Sequence, residues 1–106
     1  MSVGEDPPRL YEVSLSGWVY ERLLELADEA RGRGDGEAYL TALREFHRRL
    51  RVYPQFGDPL VDLAGQRGQI RLGLVTPLAM RYGVLEERRL VFVAARPVLL
   101  PRRGVV

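Results

Sequence analysis

The spacing of apolar residues divides this chain into strand-like and helix-like segments. Leu10–Leu15 alternates, with Tyr11 and Val13 apolar and Glu12 and Ser14 polar. Alternation of this kind is typical of a strand with one buried face. The spacing becomes helical after Leu15 and alternates again from Gln69, so the pattern predicts one strand, then helices, then further strands.

Two amphipathic helices are predicted, over Gly17–Arg31 and roughly Gly36–Val52. Their apolar residues recur every three or four positions, which places them on one stripe of each helix. The stripes are Val19, Leu23, Leu26 and Ala30 in the first helix, and Tyr39, Leu43, Phe46, Leu50 and Tyr53 in the second. Ser16 and Asp35 stand where N-caps are expected. The short glycine-rich connection predicts an antiparallel helical hairpin.

Three further strands are predicted in the second half of the chain. Ile70–Leu74 and Leu78–Val84 both alternate and are separated by Thr76-Pro77. Arg89–Ala95 is almost entirely apolar, which is typical of a strand in the middle of a sheet. The predicted order is β-α-α-β-β-β: an α+β fold, with an antiparallel-rich four-stranded sheet and a helical hairpin packed on one face.

The length of 106 residues predicts a single domain, with residues 1–9 and 98–106 as loose tails. There is no cysteine, which excludes disulfides, thiol catalysis and thiolate metal sites. No apolar run approaches the roughly 20 residues of a membrane helix, and we expect a cytoplasmic protein without a membrane partner.

Charge is distributed unevenly along the chain. Residues 1–47 contain ten acids and five arginines, whereas residues 48–106 contain four acids and eleven arginines, and there is no lysine. Arginine suits phosphates and carboxylates because its guanidinium presents a planar fork of donors. A basic half therefore favours a polyanion or an acidic protein as partner, although solvated faces such as Arg44, Arg48 and Arg51 explain part of the charge.

A short pattern is repeated in the second and third predicted strands. Ile70-Arg71-Leu72-Gly73-Leu74 is echoed ten residues later by Met80-Arg81-Tyr82-Gly83-Val84. If the large apolar residues face the helices, Arg71, Gly73, Arg81 and Gly83 share the other face and leave a shallow floor for a backbone or a flat base. This arrangement requires an odd-length turn or a bulge near Thr76-Pro77. The alternative is an ordinary exposed sheet face.

Other candidate residues lie outside this motif. Arg88 precedes the fourth predicted strand, Arg89 is its first residue, and Arg96 follows it at a position suited to a phosphate contact. His47, the only histidine, lacks a partner at a catalytic spacing and is interpreted as a packing or surface residue. We expect Trp18 to pack on the sheet or the second helix; its exposure would indicate a partner surface. No metal-ligand cluster or cofactor motif is present.

The chain resembles the RelE/ParE superfamily of bacterial toxins from toxin–antitoxin systems. The likeness spans about Tyr11 to Pro97 and depends on element order, on Phe46 through Pro59, on Asp62-Leu63, and on Arg81 through Val93. The resemblance implies a toxin neutralised by a cognate antitoxin, acting either on ribosome-bound mRNA as an endoribonuclease or on DNA gyrase. By position Arg71 and Arg81 match the family's sheet arginines.

Arg96 matches the basic residue that follows the family's last strand, but the family's usual proton donor is missing. The segment after Arg96 is Pro97-Val98-Leu99-Leu100-Pro101, without Tyr, His or Lys. Arginines can stabilise a charged phosphorane but transfer protons poorly at pH 7. The catalytic residues therefore remain unassigned. Two hypotheses follow: a toxin-like protein that uses its basic sheet, or a non-catalytic interaction module of the same fold that binds an acidic peptide or forms a homodimer.

Overall fold

The computed structural model describes residues 9–65 and 67–101. Its helices are α1 (Gly17–Gly32), α2 (Gly36–Val52) and a short 3-10 helix (Pro54–Phe56). Its strands are β1 (Glu12–Ser14), β2 (Asp58–Asp62), β3 (Gly68–Val75), β4 (Leu78–Leu85), β5 (Leu90–Val93) and β6 (Val98–Leu99). The predicted α+β class, with a helical hairpin and an antiparallel-rich sheet, is confirmed.

The strands form one mixed sheet in the order β1-β5-β4-β3-β2, and β6 pairs with the part of β4 that β5 does not cover. β1 runs parallel to β5, and every other pair is antiparallel. β5 lies between β1 and β4, as its apolar sequence predicts. The helical hairpin connects β1 at one edge of the sheet to β2 at the other edge. The chain then returns through β3, β4 and β5, and β5 lies parallel to β1.

Both helices match the prediction closely. The residues of the α1 stripe are buried, and so are Tyr39, Phe46 and Leu50 of α2. Tyr53, the last member of the α2 stripe, is exposed because α2 ends at Val52 and the chain changes direction there. Ser16 and Asp35 occupy the N-cap positions, but neither side chain makes a capping hydrogen bond. Asp35 instead accepts a hydrogen bond from Arg33.

Two strands were not predicted from the sequence. β2 is an edge strand whose five residues are all exposed, so it has no alternation of buried and exposed positions to detect. β6 has only two residues and lies within the segment 98–106 predicted as a loose tail. That prediction is wrong for Val98–Leu99, because Leu99 pairs with Leu78 and the Leu100 N–H donates to the Pro77 carbonyl. Of the rest of the predicted tails, Arg9, Leu100 and Pro101 belong to no helix or strand, and residues 1–8 and 102–106 lie outside the described residues.

The core lies between the helical hairpin and one face of the sheet. Three aromatic rings meet there: Phe46 of α2, Phe56 of the 3-10 helix and Tyr82 of β4, with centroids 5.4–6.1 Å apart. The Tyr82 hydroxyl accepts a hydrogen bond from the Gly57 N–H and donates one to the Pro54 carbonyl. These bonds anchor the loop between α2 and β2 onto the sheet.

Among the described helices, none is long and apolar enough to cross a membrane.

Candidate functional site

The register between β3 and β4 decides where the repeated motif points. Val75 pairs with Leu78 across the two-residue turn Thr76-Pro77, and the pairing continues without a shift to Gly68 and Leu85. Arg71 therefore lies opposite Tyr82, whereas Arg81 lies opposite Leu72. Because directly paired residues share a face, Arg71 and Arg81 lie on opposite faces of the sheet. The prediction that they share one is wrong, since the turn is even-numbered and there is no bulge.

Arg71 points towards the helices and binds protein acceptors. One terminal nitrogen donates to the carbonyls of Gln55 and Gly57, and the other donates to the side-chain oxygen of Gln69, 2.6 Å away. A guanidinium in such a place satisfies carbonyls of a turn that have no partner in a helix or a sheet. Arg71 is therefore a structural residue that fixes the loop after α2.

The two glycines of the motif also lie on opposite faces of the sheet, so they do not form the shallow floor that was predicted from them. A Cβ at Gly73 would meet the rings of Phe46, Phe56 and Tyr82, which places Gly73 against the core. A Cβ at Gly83 would overlap the ring of Phe92, which covers that glycine from the opposite face. Each glycine makes room for aromatic rings of this chain rather than for a ligand.

The sheet face that points away from the helices is called the outer face. Its positions follow from the pairing of β1 to β6, since Cα partners in neighbouring strands form rows on one side of the sheet. The outer face comprises Glu12, Ser14, Asp58, Val61, Gly68, Ile70, Leu72, Leu74, Ala79, Arg81, Gly83, Leu85, Leu90, Phe92 and Val98.

Apolar side chains dominate the outer face. Val61 is 58% exposed, Leu74 53%, Val98 48% and Leu72 38%. Val61 pairs with Ile70 beside Leu72, and Ala79 lies between Leu74 and Val98, so these side chains form one apolar surface across β2, β3, β4 and β6. A contiguous apolar surface of this kind marks an interaction site far more often than single exposed leucines do.

Arg81 lies near the middle of this apolar surface. It is exposed, and its guanidinium forms no hydrogen bond or ion pair within residues 9–65 and 67–101. Its row across the sheet runs through Leu72 to Asp58 on β2. The Asp58 side chain is likewise exposed and has no hydrogen bond or ion pair in the described part of the chain. This row of the outer face thus holds one base and one acid, about 10 Å apart at two strand spacings. The other acid of the face, Glu12, lies on β1 at the edge of the sheet.

The remaining predicted arginines do not gather around Arg81. Arg96 lies 3.5 Å from Glu25 of α1, in an exposed ion pair at the helical side of the molecule. Arg89, in the turn before β5, places its guanidinium over the Tyr11 ring at 5.2 Å and donates to the Arg9 carbonyl. Arg88 is exposed in the same turn. No cluster of arginines covers the described sheet surface.

A polar network that the sequence did not indicate joins Tyr11, which immediately precedes β1, to the 3-10 helix and the β4–β5 turn. The Tyr11 hydroxyl donates to Glu86 at 2.6 Å, and the Gln55 amide donates to the same carboxylate at 2.7 Å. The hydrogen bond from Tyr11 lowers the pKa of Glu86, and Gln55 and the nearby arginines act in the same direction. Burial is the largest cause of the raised pKa of Tyr11, and the hydrogen bond to Glu86 raises it further. Tyr11 and Glu86 are 75 residues apart, so no local motif could have found the network.

Two other candidate residues lie away from the outer face. His47 is exposed on α2, which is the surface alternative of the two that the sequence left open. Trp18 is 51% exposed, so the prediction that it packs on the sheet or on α2 is wrong. Val19 occupies the inward position, and successive helical residues are turned by about 100°, which leaves the indole at the flank of α1. The exposed indole offers a contact surface on the helical layer, away from the outer face.

The chemistry available at the outer face is limited. Leu72 and Asp58 are the only other outer-face members of the row that contains Arg81, and no histidine or tyrosine belongs to this face as described. No three His, Asp or Glu side chains of the described residues are grouped so that they could hold a metal ion. The face is therefore suited to binding by contact and charge rather than to proton transfer.

No protein-family model matches this chain, and no curated protein or solved structure is significantly similar to it. The RelE/ParE resemblance therefore stays a prediction that depends on the residues quoted for it.

Proposed function

We propose that this protein is a non-catalytic interaction module that binds a protein partner on its outer face. The observation that carries the proposal is the continuous apolar surface around Leu72 and Leu74, which a stable fold alone does not need. Burial of apolar area is the main favourable term in most protein association. A single unpaired base within such a surface suits a protein partner that brings one carboxylate.

The apolar character of the outer face also favours a protein over a nucleic acid as the partner. Nucleic acids are bound chiefly through several Lys or Arg contacts to phosphates. Of the five arginines that the sequence suggested for such a role, Arg81 alone belongs to the outer face, and Arg71 donates to carbonyls on the opposite side. Apolar side chains surround Arg81 where further cations would be needed.

The proposal is tested by site-specific photocrosslinking in the native host at native expression. A benzoylphenylalanine placed at Leu74 is expected to give discrete protein adducts, whose masses identify the partner. The matched control carries the same group at Glu21, which is exposed on α1, and is expected to give none. Absence of any discrete protein adduct at Leu74 would contradict the proposal.

A toxin-like function is the second candidate. It is supported by Arg81 itself, an exposed guanidinium free to meet a phosphate, and by the exposed Arg88 at the end of the β4–β5 hairpin. This function requires a cytoplasmic location, because ribosomes and gyrase act there. Cleavage of mRNA in a translation assay, or inhibition of gyrase supercoiling, that is lost in Arg81→Ala would support it. Normal growth on expression, with no response in either assay, would count against it.

A further inference from the structure

We infer that the partner of the outer face is a second copy of this chain, related by a two-fold axis that runs along β3. This inference depends on the proposed function, since it names the occupant of the same face. The two charged side chains that flank β3 on this face, Asp58 and Arg81, decide the arrangement. The other acid of the face, Glu12, lies on β1, three strands away from β3.

Asp58 and Arg81 stand symmetrically about β3. Asp58 pairs with Leu72 from β2, and Arg81 pairs with the same Leu72 from β4, so the acid and the base lie one strand to either side of it. A two-fold axis along β3, in the plane between two stacked sheets, exchanges the β2 side of one copy with the β4 side of the other. It therefore places each Arg81 opposite the partner copy's acid at position 58, and each Leu72 opposite its own equivalent.

The other simple way to stack two outer faces is disfavoured by charge. An axis that runs across the strands, along the row of Leu72, would place Arg81 opposite Arg81 of the second copy. Like charges brought together in an interface oppose association, whereas the axis along β3 forms two ion pairs. A two-fold interface must be complementary to itself, and the Asp58–Leu72–Arg81 row has this property.

The apolar surface fits the same arrangement. Ile70, Leu72 and Leu74 are the outer-face residues of β3, and the axis along this strand makes them the centre of the interface. Two sheets that stack face to face pack about 10 Å apart through interleaved side chains of this size. The charged row then crosses an apolar centre, as expected for an interface in which the ion pairs fix orientation and the apolar contacts supply affinity.

Charge reversal tests the geometry. By sedimentation of the full chain, Asp58→Arg and Arg81→Asp are each expected to weaken the dimer by at least about tenfold, because each brings two like-charged pairs together. An equal mixture of the two single variants is expected to recover the dimer: the heterodimer contains one native Arg81–Asp58 pair and one reversed pair. The double variant D58R/R81D is expected to recover it as well.

Controls separate this inference from general effects. Glu21→Arg makes the same charge change on exposed α1 and is expected to leave the dimer unchanged, and circular dichroism confirms folding of each variant. A wild-type chain that stays monomeric at about 100 μM, or two single variants that fail to associate when mixed, would overturn the inference. An adduct at Leu74 with a different protein would overturn it too but leave the proposed function standing, whereas absence of any protein adduct would remove both.

Discussion

The segments Ile70–Leu74 and Met80–Val84 contain the same pattern of residues and use it in opposite ways. In β4, the large apolar residues Met80, Tyr82 and Val84 are buried against the helices and Arg81 is exposed. In β3, Arg71 points inward and the leucines are exposed. The difference follows from register alone, because one residue of shift moves every side chain of a strand to the other face.

The inward positions of Gly73 and Arg71 complete the core, and they leave the apolar side chains of β3 exposed. The inner side of β3 needs a glycine where three aromatic rings meet and a cation where the 3-10 segment leaves carbonyls unpaired, and Gly73 and Arg71 supply them. The leucines that alternate with these residues are then exposed. The same strand thus completes the core with its small and charged residues and presents its apolar residues outward, where we propose that a partner covers them.

The largest expected effect is a loss of stability on substitution of Gly73, and it is expected to be smaller at Gly83. Gly73→Ala is expected to lower the free energy of unfolding by about 1–3 kcal/mol, because its methyl group meets the buried rings of Phe46 and Tyr82. Gly83→Ala is the matched change. It is expected to cost less, since the partly exposed ring of Phe92 can turn away towards solvent. Urea unfolding at low protein concentration measures both, and a larger loss for Gly83→Ala would contradict the assignment of the two faces.

A somewhat smaller effect is expected from the hydroxyl of Tyr82. Tyr82→Phe leaves the buried Gly57 N–H and Pro54 carbonyl without their partner, and we expect a loss of about 1–2 kcal/mol in the free energy of unfolding. Tyr20→Phe removes an exposed hydroxyl from α1 and serves as the control, with no expected change. Thermal and urea unfolding of the two variants provide the comparison. Equal stability of both would show that the loop after α2 does not depend on this hydroxyl.

The same tyrosine predicts an effect of alkaline pH. Burial raises the pKa of Tyr82 from 10.0 to about 12. The unfolded chain therefore loses this proton before the folded protein does, and the stability linked to it is complete below pH 10 and declines as the pH rises towards 12. Tyr39, whose pKa burial also raises to about 12, adds to the decline. Tyr82→Phe is expected to show a shallower fall over this range, and an unchanged slope would contradict the contribution of Tyr82.

The smallest expected effect concerns Trp18. Because the indole is half exposed on the flank of α1, Trp18→Ala is expected to change the free energy of unfolding by about 0.5 kcal/mol or less. The emission maximum of the wild-type protein should lie near that of a hydrated indole. A large loss of stability, or a strongly blue-shifted emission, would show that the indole is packed.

The two helices and the strands β1, β3, β4 and β5 were predictable because each depends on local spacing. The α2 boundaries, Gly36 and Val52, follow from its apolar stripe and from Pro54. The direction in which β3 faces was not predictable from its alternation, since Ile70, Leu72 and Leu74 alternate equally well whether they point inward or outward. Only the even turn at Thr76-Pro77, and the three rings that surround Gly73, decide between the two registers.

The candidate site was predictable only in part, because the residues around Arg81 depend on the register of β3. Arg81 was singled out correctly as an exposed residue of the sheet, but its neighbours were assigned from the wrong register of β3. Asp58, its counterpart in the proposed dimer, lies on β2, a strand without any buried position. Its place beside Leu72 depends on tertiary pairing rather than on any local pattern.

The central claim is that Arg71 stabilises the fold, whereas Arg81 belongs to the proposed binding surface and adds little to stability. One measurement tests this claim directly. Arg71→Met and Arg81→Met keep the length of the side chain and remove its charge and donors. Their free energies of unfolding, measured by urea denaturation at a concentration where the chain is monomeric, should differ. We predict a loss of about 1–3 kcal/mol for Arg71→Met, because the carbonyls of Gln55 and Gly57 lose their donor, and a change within about 0.5 kcal/mol for Arg81→Met. Equal losses in the two variants, or a larger loss for Arg81→Met, would contradict the account.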